Sequence, residues 1–245
     1  MKVTMKAILV SLALTLTMGL QAQTFSSGYI DDSGGCDWPF NAIHHKSNGD
    51  VYGFWRTAGG NTGQYKLEEW NGTGWTTLSS FGPAQIPNFD NMSDDVDLVI
   101  DGNDNFHIAF RGSRGSGVNS TRGVWYGFSS DGVNWTYTEI ETNTDPSGWK
   151  NTDDPVIRIG TNNNPQICFI YTDANNPREY TIRHYEYNGS SWSMDNAFSQ
   201  TGVSNEITIF DFDLDASGNA HIAFQRETDG SGLDGGLWYV TNETG

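Results

Sequence analysis

Two pairs of neighbouring aspartates are the residues of this sequence best suited to acid–base or cation chemistry. Asp94 and Asp95 form one pair, and Asp153 and Asp154 form the other, 59 residues later. Carboxylates that lie close together raise each other's pKa unless a cation or an arginine lies among them. They also transfer protons, or coordinate a hard cation through oxygen. The pairs therefore predict either a bound cation, with calcium as the candidate, or tight pairing with arginine.

Basic and aromatic residues in nearby loops widen this candidate site. Arginine binds a carboxylate or a sulfate through two hydrogen bonds, and a tryptophan ring offers a flat apolar face to a ligand. Two structural alternatives stay open, because such aspartates also tie neighbouring backbones together and such arginines also form salt bridges between sheets. The sequence assigns no catalytic residue; the candidate ligand-binding residues are Asp94, Asp95, Asp153, Asp154, Arg56, Arg111, Trp149, Arg178 and Arg226.

The candidate residues recur because the sequence repeats. Each repeat has a short first strand, a turn rich in Asn, Asp and Gly, and a second strand of apolar and aromatic residues. The second strands begin 55, 59 and 55 residues apart, at Val51, Phe106, Pro165 and Ala220. The first strands are predicted at Ala42–His45, Asp97–Ile100, Val156–Ile159 and Asp211–Leu214.

Alternation within the second strand predicts a sheet that is covered on both faces. Ile108 and Phe110 share one face, and His107, Ala109 and Arg111 share the other. A column of small residues at equivalent positions of three repeats would let the next sheet pack closely. The column comprises Ala109, Cys168 and Ala223.

A turn that ends in tryptophan follows the third strand of three repeats. The turns are Asn71–Trp75, Ser130–Trp135 and Asn188–Trp192. The segment Ser129–Trp135, which reads Ser-Ser-Asp-Gly-Val-Asn-Trp, resembles the BNR or Asp-box repeat of the sialidase-like β-propeller superfamily, shortened by one residue. The Arg-Ile-Pro segment and the arginine triad of a sialidase are not recognisable, so the resemblance implies the fold rather than that activity.

The pattern predicts an all-β protein, a β-propeller of four-stranded antiparallel blades. Four copies are present, at about 40–81, 94–141, 153–199 and 207–245, and the last lacks its fourth strand. We expect residues 23–39 to be able to supply a closing strand. We also expect the chain to be a fragment of a six- to eight-bladed propeller.

The resemblance implies which face of the propeller carries function. In sialidase-like propellers the site lies on the face formed by the loops that leave the second strand and enter the first. The candidate residues belong to that face, and the tryptophan turns belong to the opposite face, where they are structural. His107 and His221 occupy one repeated position beside the turn after the first strand, which also indicates a structural role.

The N-terminus and the charge limit the function classes. Lys2 and Lys6 precede the apolar run Ala7–Leu20, which predicts a secretory signal peptide over residues 1–22. No other long apolar run is present, so no membrane span is expected. The 13 Lys and Arg against 30 Asp and Glu give a formal net charge of −17, which disfavours nucleic acid as a partner.

These observations leave two hypotheses for a secreted propeller at the cell surface or outside the cell. The first is carbohydrate recognition or processing, by a glycoside hydrolase or a polysaccharide lyase that acts on acidic glycans. The second is a non-catalytic module for adhesion or protein interaction. The partner is accordingly a glycan or an extracellular protein, and the sequence leaves open whether the chain is an enzyme.

Overall fold

The protein is built of β-strands joined by tight turns. The computed structural model describes residues 42–57, 63–115, 121–142, 151–173, 179–201, 207–226 and 236–243. The predicted signal peptide and the predicted closing segment 23–39 lie outside this range. Within it, the regular structure outside the strands consists of two three-residue 3-10 turns, Pro83–Gln85 and Thr161–Asn163. The prediction of an all-β fold is confirmed.

Each of four antiparallel sheets keeps its strands in sequence order, as the blades of a propeller do. Blade 1 contains β1 (Ala42–His45), β2 (Val51–Arg56), β3 (Tyr65–Trp70) and β4 (Trp75–Phe81). Blade 2 contains β5 (Asn91–Ile100), β6 (Phe106–Arg114), β7 (Thr121–Ser129) and β8 (Thr136–Thr142). Blade 3 contains β9 (Asn151–Ile159), β10 (Pro165–Asp173), β11 (Glu179–Tyr187) and β12 (Trp192–Thr201). Blade 4 contains β13 (Ile207–Leu214), β14 (Ala220–Arg226) and β15 (Gly236–Thr241).

The hydrophobic core lies between the blades. Successive side chains of a strand point to opposite faces of its sheet. In β6, Ile108 and Phe110 therefore pack against blade 1, whereas Ala109 packs with Ile157 and Phe169 of blade 3. A third cluster joins blades 3 and 4. The first strands of successive blades contact one another, which places them innermost.

The small column is buried in the two of its three blades for which the structure describes a following blade. Ala109 and Cys168 are fully buried, and Ala223 of blade 4 is exposed. Burial raises the pKa of the Cys168 thiol well above its ordinary value, because an apolar environment disfavours the thiolate. Cys168 is therefore a packing residue.

The turn before Trp135 holds blade 2 against blade 1. The indole Nε1 of Trp135 donates to Ser79 Oγ of blade 1 at 3.1 Å, and its ring packs against Phe81 with centroids 5.5 Å apart. Inside the turn, the Asp131 carboxylate accepts hydrogen bonds from Asn134 and Val133, which lower the pKa of Asp131. Trp192 repeats the contact one blade later, with its ring 5.1 Å from that of Tyr126.

Charged groups on the inner strands also link the blades. Arg158 of β9 donates to Asp97 Oδ2 of β5 at 2.9 Å, and the backbone N–H of Ile157 donates to the same oxygen at 2.9 Å. Arg158 also lies 3.6 Å from Asp211 and 3.8 Å from Asp213 of blade 4. One arginine therefore joins three successive blades.

The inner strands are longer than the sequence predicts. β5 begins at Asn91 rather than at Asp97, and β9 begins at Asn151 rather than at Val156. Both strands contain a β-bulge, and pairing resumes beyond it. The aspartate pairs thus lie within the inner strands rather than at their starts. β6 likewise continues past Arg111 to Arg114. Among the described residues, no helix has the length and apolar character needed to span a membrane.

Candidate functional site

The two bulges place aspartates at equivalent points of blades 2 and 3. In β5, pairing shifts between Met92 and Val96, so that Ser93, Asp94 and Asp95 fall in the bulge. In β9, Asp153 pairs with Ile170 and Val156 pairs with Cys168, which leaves Asp154 and Pro155 opposite one residue. Bulges re-aim side chains, and they also tolerate proline, which has no N–H for the ladder.

Backbone strain marks the second of these bulges. Asp154 has a φ of +52°, in the left-handed region that residues other than glycine seldom adopt. Such a conformation costs of the order of 1–3 kcal/mol and persists where the surroundings fix it. The strand therefore holds Asp154 in an orientation that an extended backbone would not give.

Arg111 brings the aspartates of the two blades together. One guanidinium nitrogen lies 2.6 Å from Asp95 Oδ2 and 2.7 Å from Asp153 Oδ1. Burial disfavours the charge of Arg111, but Asp153 and Asp95 outweigh this and raise its pKa. The sequence left two outcomes open for the aspartates, a bound cation or tight pairing with arginine. These contacts are a tight pairing with arginine. Since Arg111 belongs to blade 2 and Asp153 to blade 3, the contact is also an inter-blade salt bridge.

Asp154 is a carboxyl of the cluster whose pKa is strongly raised. Burial, followed by the charges of Asp95 and Asp153, raises the pKa of Asp154 from 3.8 to about 6, although Arg111 opposes the shift. Near pH 6 the carboxyl of Asp154 is therefore about half protonated. A protonated carboxyl beside an ion-paired carboxylate is the arrangement needed for acid–base chemistry.

Arg122 is a member of the cluster that the sequence analysis missed. Arg111 pairs with Val124, and Arg122 precedes Val124 by two residues, so the two arginines share one face of the sheet. Burial lowers the pKa of Arg122, as does the charge of Arg111, whereas Asp153 and Asp95 raise it. The sequence predicts a loop over residues 112–121, whereas β6 extends to Arg114 and β7 begins at Thr121. The continued alternation of these two strands is the signal that reveals Arg122.

The remaining predicted residues do not all join this cluster. Arg56 ends β2 and pairs with Tyr65 in blade 1. Arg226 ends β14 and is buried, with its guanidinium carbon 5.4 Å from the centre of the Trp238 ring. Asp94 lies in β5, but its side chain is outside the described part of the structure, as are Trp149 and Arg178 entirely.

The position of His107 and His221, which is Gln166 in blade 3, makes a hydrogen bond to the third strand in blades 2, 3 and 4. His107 Nδ1 lies 2.8 Å from Tyr126 Oη, and His184 Nε2 lies 2.8 Å from Gln166 Oε1. His221 and Tyr239 form the same contact in blade 4. Across the described residues, no three His, Cys, Asp or Glu side chains are arranged to hold a metal ion.

Comparison with solved structures shows the fold. An α-L-arabinanase of Penicillium chrysogenum complexed with arabinobiose has a TM-score of 0.60 at 12% identity, over 83% of this chain and 62% of that one. An α-L-arabinofuranosidase of Fusarium graminearum has a TM-score of 0.57 at 12% identity, over 82% of this chain and 60% of that one. A Bombyx mori β-fructofuranosidase of glycoside hydrolase family 32 has a TM-score of 0.50 at 14% identity, over 83% of this chain and 45% of that one.

The fold is a β-propeller. These neighbours are glycoside hydrolases with a β-propeller fold. Their fold is related to that of the sialidase-like propellers. The chain spans about three fifths of the length of the arabinanase and the arabinofuranosidase. No protein-family model matches the chain, and no curated protein matches its sequence.

Proposed function

We propose that this chain binds carbohydrate at the cluster of Asp95, Arg111, Asp153 and Asp154 and hydrolyses glycosidic bonds there. The raised pKa of Asp154 carries the proposal, because it keeps one carboxyl protonated up to about pH 6 beside carboxylates that are paired with arginine. Glycoside hydrolysis uses two such carboxyl groups, one as the proton donor and one as the base or nucleophile. The glycoside hydrolases among the structural neighbours support the same class of substrate.

In this mechanism each residue has a separate role. Asp154 donates its proton to the glycosidic oxygen as the bond to the leaving sugar breaks. Asp153 or Asp95, held by Arg111, acts as the base for the attacking water or as the nucleophile. Arg111 fixes both carboxylates, because one of its nitrogens contacts an oxygen of each.

The experiment is an activity screen of the full chain with a matched pair of variants. The substrates are arabinan, a β-fructan and the acidic polysaccharide polygalacturonate. Asp154→Asn should lower the rate on any accepted substrate by about 10²–10⁴, the usual contribution of a general acid. Asp195→Asn is the control, because Asp195 is exposed on the outer strand β12. Wild-type activity should also fall as the pH rises through about 6, where Asp154 loses its proton.

Two results would overturn the proposal. One is an Asp154→Asn variant that is folded and as active as the wild type. The other is a wild type that neither binds nor cleaves any of the substrates. The second result would favour the non-catalytic scaffold, which the inter-blade position of the Arg111–Asp153 contact supports. An unsaturated product that absorbs ultraviolet light would instead identify a lyase.

Three finer statements stay predictions. Preference for acidic glycans has Arg122 as its candidate cation, because its side chain is exposed on the same face of the sheet as Arg111. Calcium binding at the cluster would show as a higher melting temperature in calcium than in a chelator. Export from the cell depends on residues 1–22, and the N-terminal sequence of protein recovered from culture fluid would test it.

A further inference from the structure

The crevices between adjacent blades differ on the face that carries the tryptophan turns. Between blades 1 and 2 the crevice is filled by Phe106, the first residue of β6. Phe106 is fully buried, and its ring meets that of Tyr52 edge to face at 4.9 Å. The ammonium group of Lys46 covers it, 4.5 Å from the ring centre.

The next crevice is open because the equivalent residue is smaller. β10 begins with Pro165, and a cavity of about 410 Å³ lies between blades 2 and 3 with Pro165 in its wall. β14 begins with Ala220, beside a cavity of about 230 Å³ between blades 3 and 4. The larger cavity falls in the size range of small-molecule sites. The size of the first residue of the second strand thus differs between blades in the same way as the space beside it.

One wall of the larger cavity is aromatic. The Trp192 ring lies 5.1 Å from that of Tyr126 and 5.3 Å from that of Tyr187, and the ring of Phe128 also lines the space. All four side chains are half-buried. Tyr126 and Phe128 belong to β7, Tyr187 ends β11, and Trp192 begins β12. Rigid strands therefore position an apolar surface that stays accessible from the cavity.

The opposite wall is polar and built on buried groups. His107, only 3% exposed, contacts Tyr126 Oη at 2.8 Å through Nδ1, and its Nε2 lies 3.3 Å from Asp101 Oδ2. Burial opposes ionisation of Asp101, but hydrogen bonds from Asn105 and Asn103 lower its pKa below the ordinary value. The side chain of Asn103 and that of Thr136 form part of the exposed rim.

The electrostatics of the lining disfavour an anionic ligand. Burial lowers the pKa of His107, although Asp101 opposes the shift, so the imidazole is neutral at pH 7. The described residues that line the cavity include no lysine or arginine, and the chain carries a formal net charge of −17. An anionic ligand would therefore be repelled. A wholly apolar ligand would leave the amide and hydroxyl groups of the lining without hydrogen-bond partners.

We propose that the cavity between blades 2 and 3 binds one neutral sugar residue, stacked on the Trp192–Tyr126 wall and hydrogen-bonded to the Asp101–His107 side. The turns between the first and second strands and between the third and fourth strands of the blades surround this site, so it lies on the opposite face from the Asp95–Arg111–Asp153–Asp154 cluster. It is a binding site without catalytic groups, and it does not depend on hydrolysis at the cluster.

The test is saccharide binding by the full chain, with arabinobiose, cellobiose, lactose and maltose as probes. Binding is measured by calorimetry and by the change in tryptophan fluorescence that stacking on Trp192 should cause. Thr136→Arg should block the cavity and abolish saturable binding. Asn103→Ala should weaken binding about five-fold, the effect of one hydrogen bond worth about 1 kcal/mol.

Each variant has a control at the equivalent position of another blade. Thr76→Arg is the control for Thr136→Arg. Thr76 follows Trp75 in blade 1 as Thr136 follows Trp135 in blade 2, and both threonines are exposed. Ser217 occupies in blade 4 the turn position of Asn103, since both donate a backbone N–H to the first aspartate of the turn. Neither Thr76→Arg nor Ser217→Ala should change binding. Circular dichroism checks that all four variants keep the wild-type fold.

Three outcomes would overturn the inference. The first is a wild type that binds none of the four probes saturably. The second is equal loss of binding in Thr76→Arg and Thr136→Arg, which would reflect added charge rather than the cavity. The third is binding that Thr136→Arg leaves intact and Asp154→Asn removes, which would assign the saccharide to the cluster. Binding kept in Asp154→Asn and lost in Thr136→Arg supports the inference even if no substrate is hydrolysed.

Discussion

Adjacent residues with the same side chain differ in chemistry at the cluster. Asp153 contacts Arg111 at 2.7 Å, whereas Asp154, which follows it, has a pKa of about 6. The β-bulge separates them, because it turns Asp154 to a φ of +52°. The sequence predicts that these aspartates meet Arg111, but it does not distinguish their roles, since burial and orientation depend on the bulge.

The first prediction concerns the stability of the Asp154→Asn variant. A carboxyl whose pKa rises on folding stabilises the protein at low pH, and that contribution is lost as the pH rises through the folded-state value. The pKa of Asp154 rises from 3.8 to about 6. The free energy of unfolding of Asp154→Asn, relative to that of the wild type, should therefore increase as the pH rises from about 4 to about 7, because the wild type loses the contribution of Asp154 over that range. Urea unfolding at both pH values measures the difference.

The exposed Asp195 provides the control for this measurement. Asp195→Asn should show no comparable dependence on pH. If Asp154→Asn loses stability relative to the wild type as the pH rises, the carboxylate of Asp154 is stabilised by the fold, and the assignment of a proton donor is wrong.

The second prediction concerns Arg122 and acidic substrates. Arg122 is exposed, and its charge is coupled to those of Asp153 and Asp95. Arg122→Gln should raise KM for polygalacturonate about ten-fold or more, since a charged hydrogen bond contributes about 1.5–3 kcal/mol. KM for neutral arabinan should change little. Equal changes for the two substrates would show that Arg122 does not recognise acidic groups.

At the scale of the strand and turn, the alternation in β6 correctly predicts which side chains face each neighbouring blade. The bulges in β5 and β9 are not predicted, because a bulge adds a residue to one strand without changing its composition. The predicted first strands therefore stop short of the aspartates. A separate error placed the loop of blade 2 at residues 112–121, although β6 extends to Arg114 and β7 begins at Thr121, just before Arg122.

The third prediction concerns Gly132 in the turn before Trp135. Gly132 has a φ of +74°, and a Cβ atom there would lie 2.5 Å from Leu78 Cδ2 of blade 1. Gly132→Ala should therefore lower the free energy of unfolding by about 2–4 kcal/mol, through both overpacking and backbone strain. Denaturant unfolding measures the loss.

A second turn glycine separates these two effects. Gly189 of blade 3 has a φ of +93°, and a Cβ atom there would meet no other atom within 4 Å. Gly189→Ala should cost only about 1 kcal/mol, from backbone strain alone. Equal losses in the two variants would mean that the turn does not press against blade 1.

At the scale of the whole molecule, the repeat predicts the architecture because every blade contains the same pattern of strands and turns. The core between blades follows from that pattern, as the burial of Ala109 and Cys168 illustrates. The cavity beside Pro165 does not follow from it, because its existence depends on a position at which the repeats carry different residues, Phe106, Pro165 and Ala220. Sites that belong to one blade are thus harder to predict than the fold that all blades share.

The fourth prediction concerns association through blade 4. In the described part of the chain, β15 pairs only with β14, and its residues Leu237 and Tyr239 are 83% and 58% exposed. Exposed apolar edge strands pair with other chains. The protein should therefore associate as its concentration rises, and Leu237→Lys should reduce this association. Sedimentation velocity over a range of concentrations gives the answer; a wild type that stays monomeric would indicate that another segment covers the edge.

The tryptophan contacts between blades have a direction that matters during translation. Trp135 of blade 2 reaches back to Ser79 and Phe81 of blade 1, and Trp192 of blade 3 reaches back to Tyr126 of blade 2. A ribosome releases the earlier blade first, so each blade leaves the exit tunnel before the indole that covers its side has been synthesised. The apolar surface around Phe81 therefore stays open to chaperones or to wrong partners until Trp135 has emerged. A pause in synthesis before Trp135 has left the exit tunnel would prolong that exposure, whereas a pause after Trp135 has emerged would not.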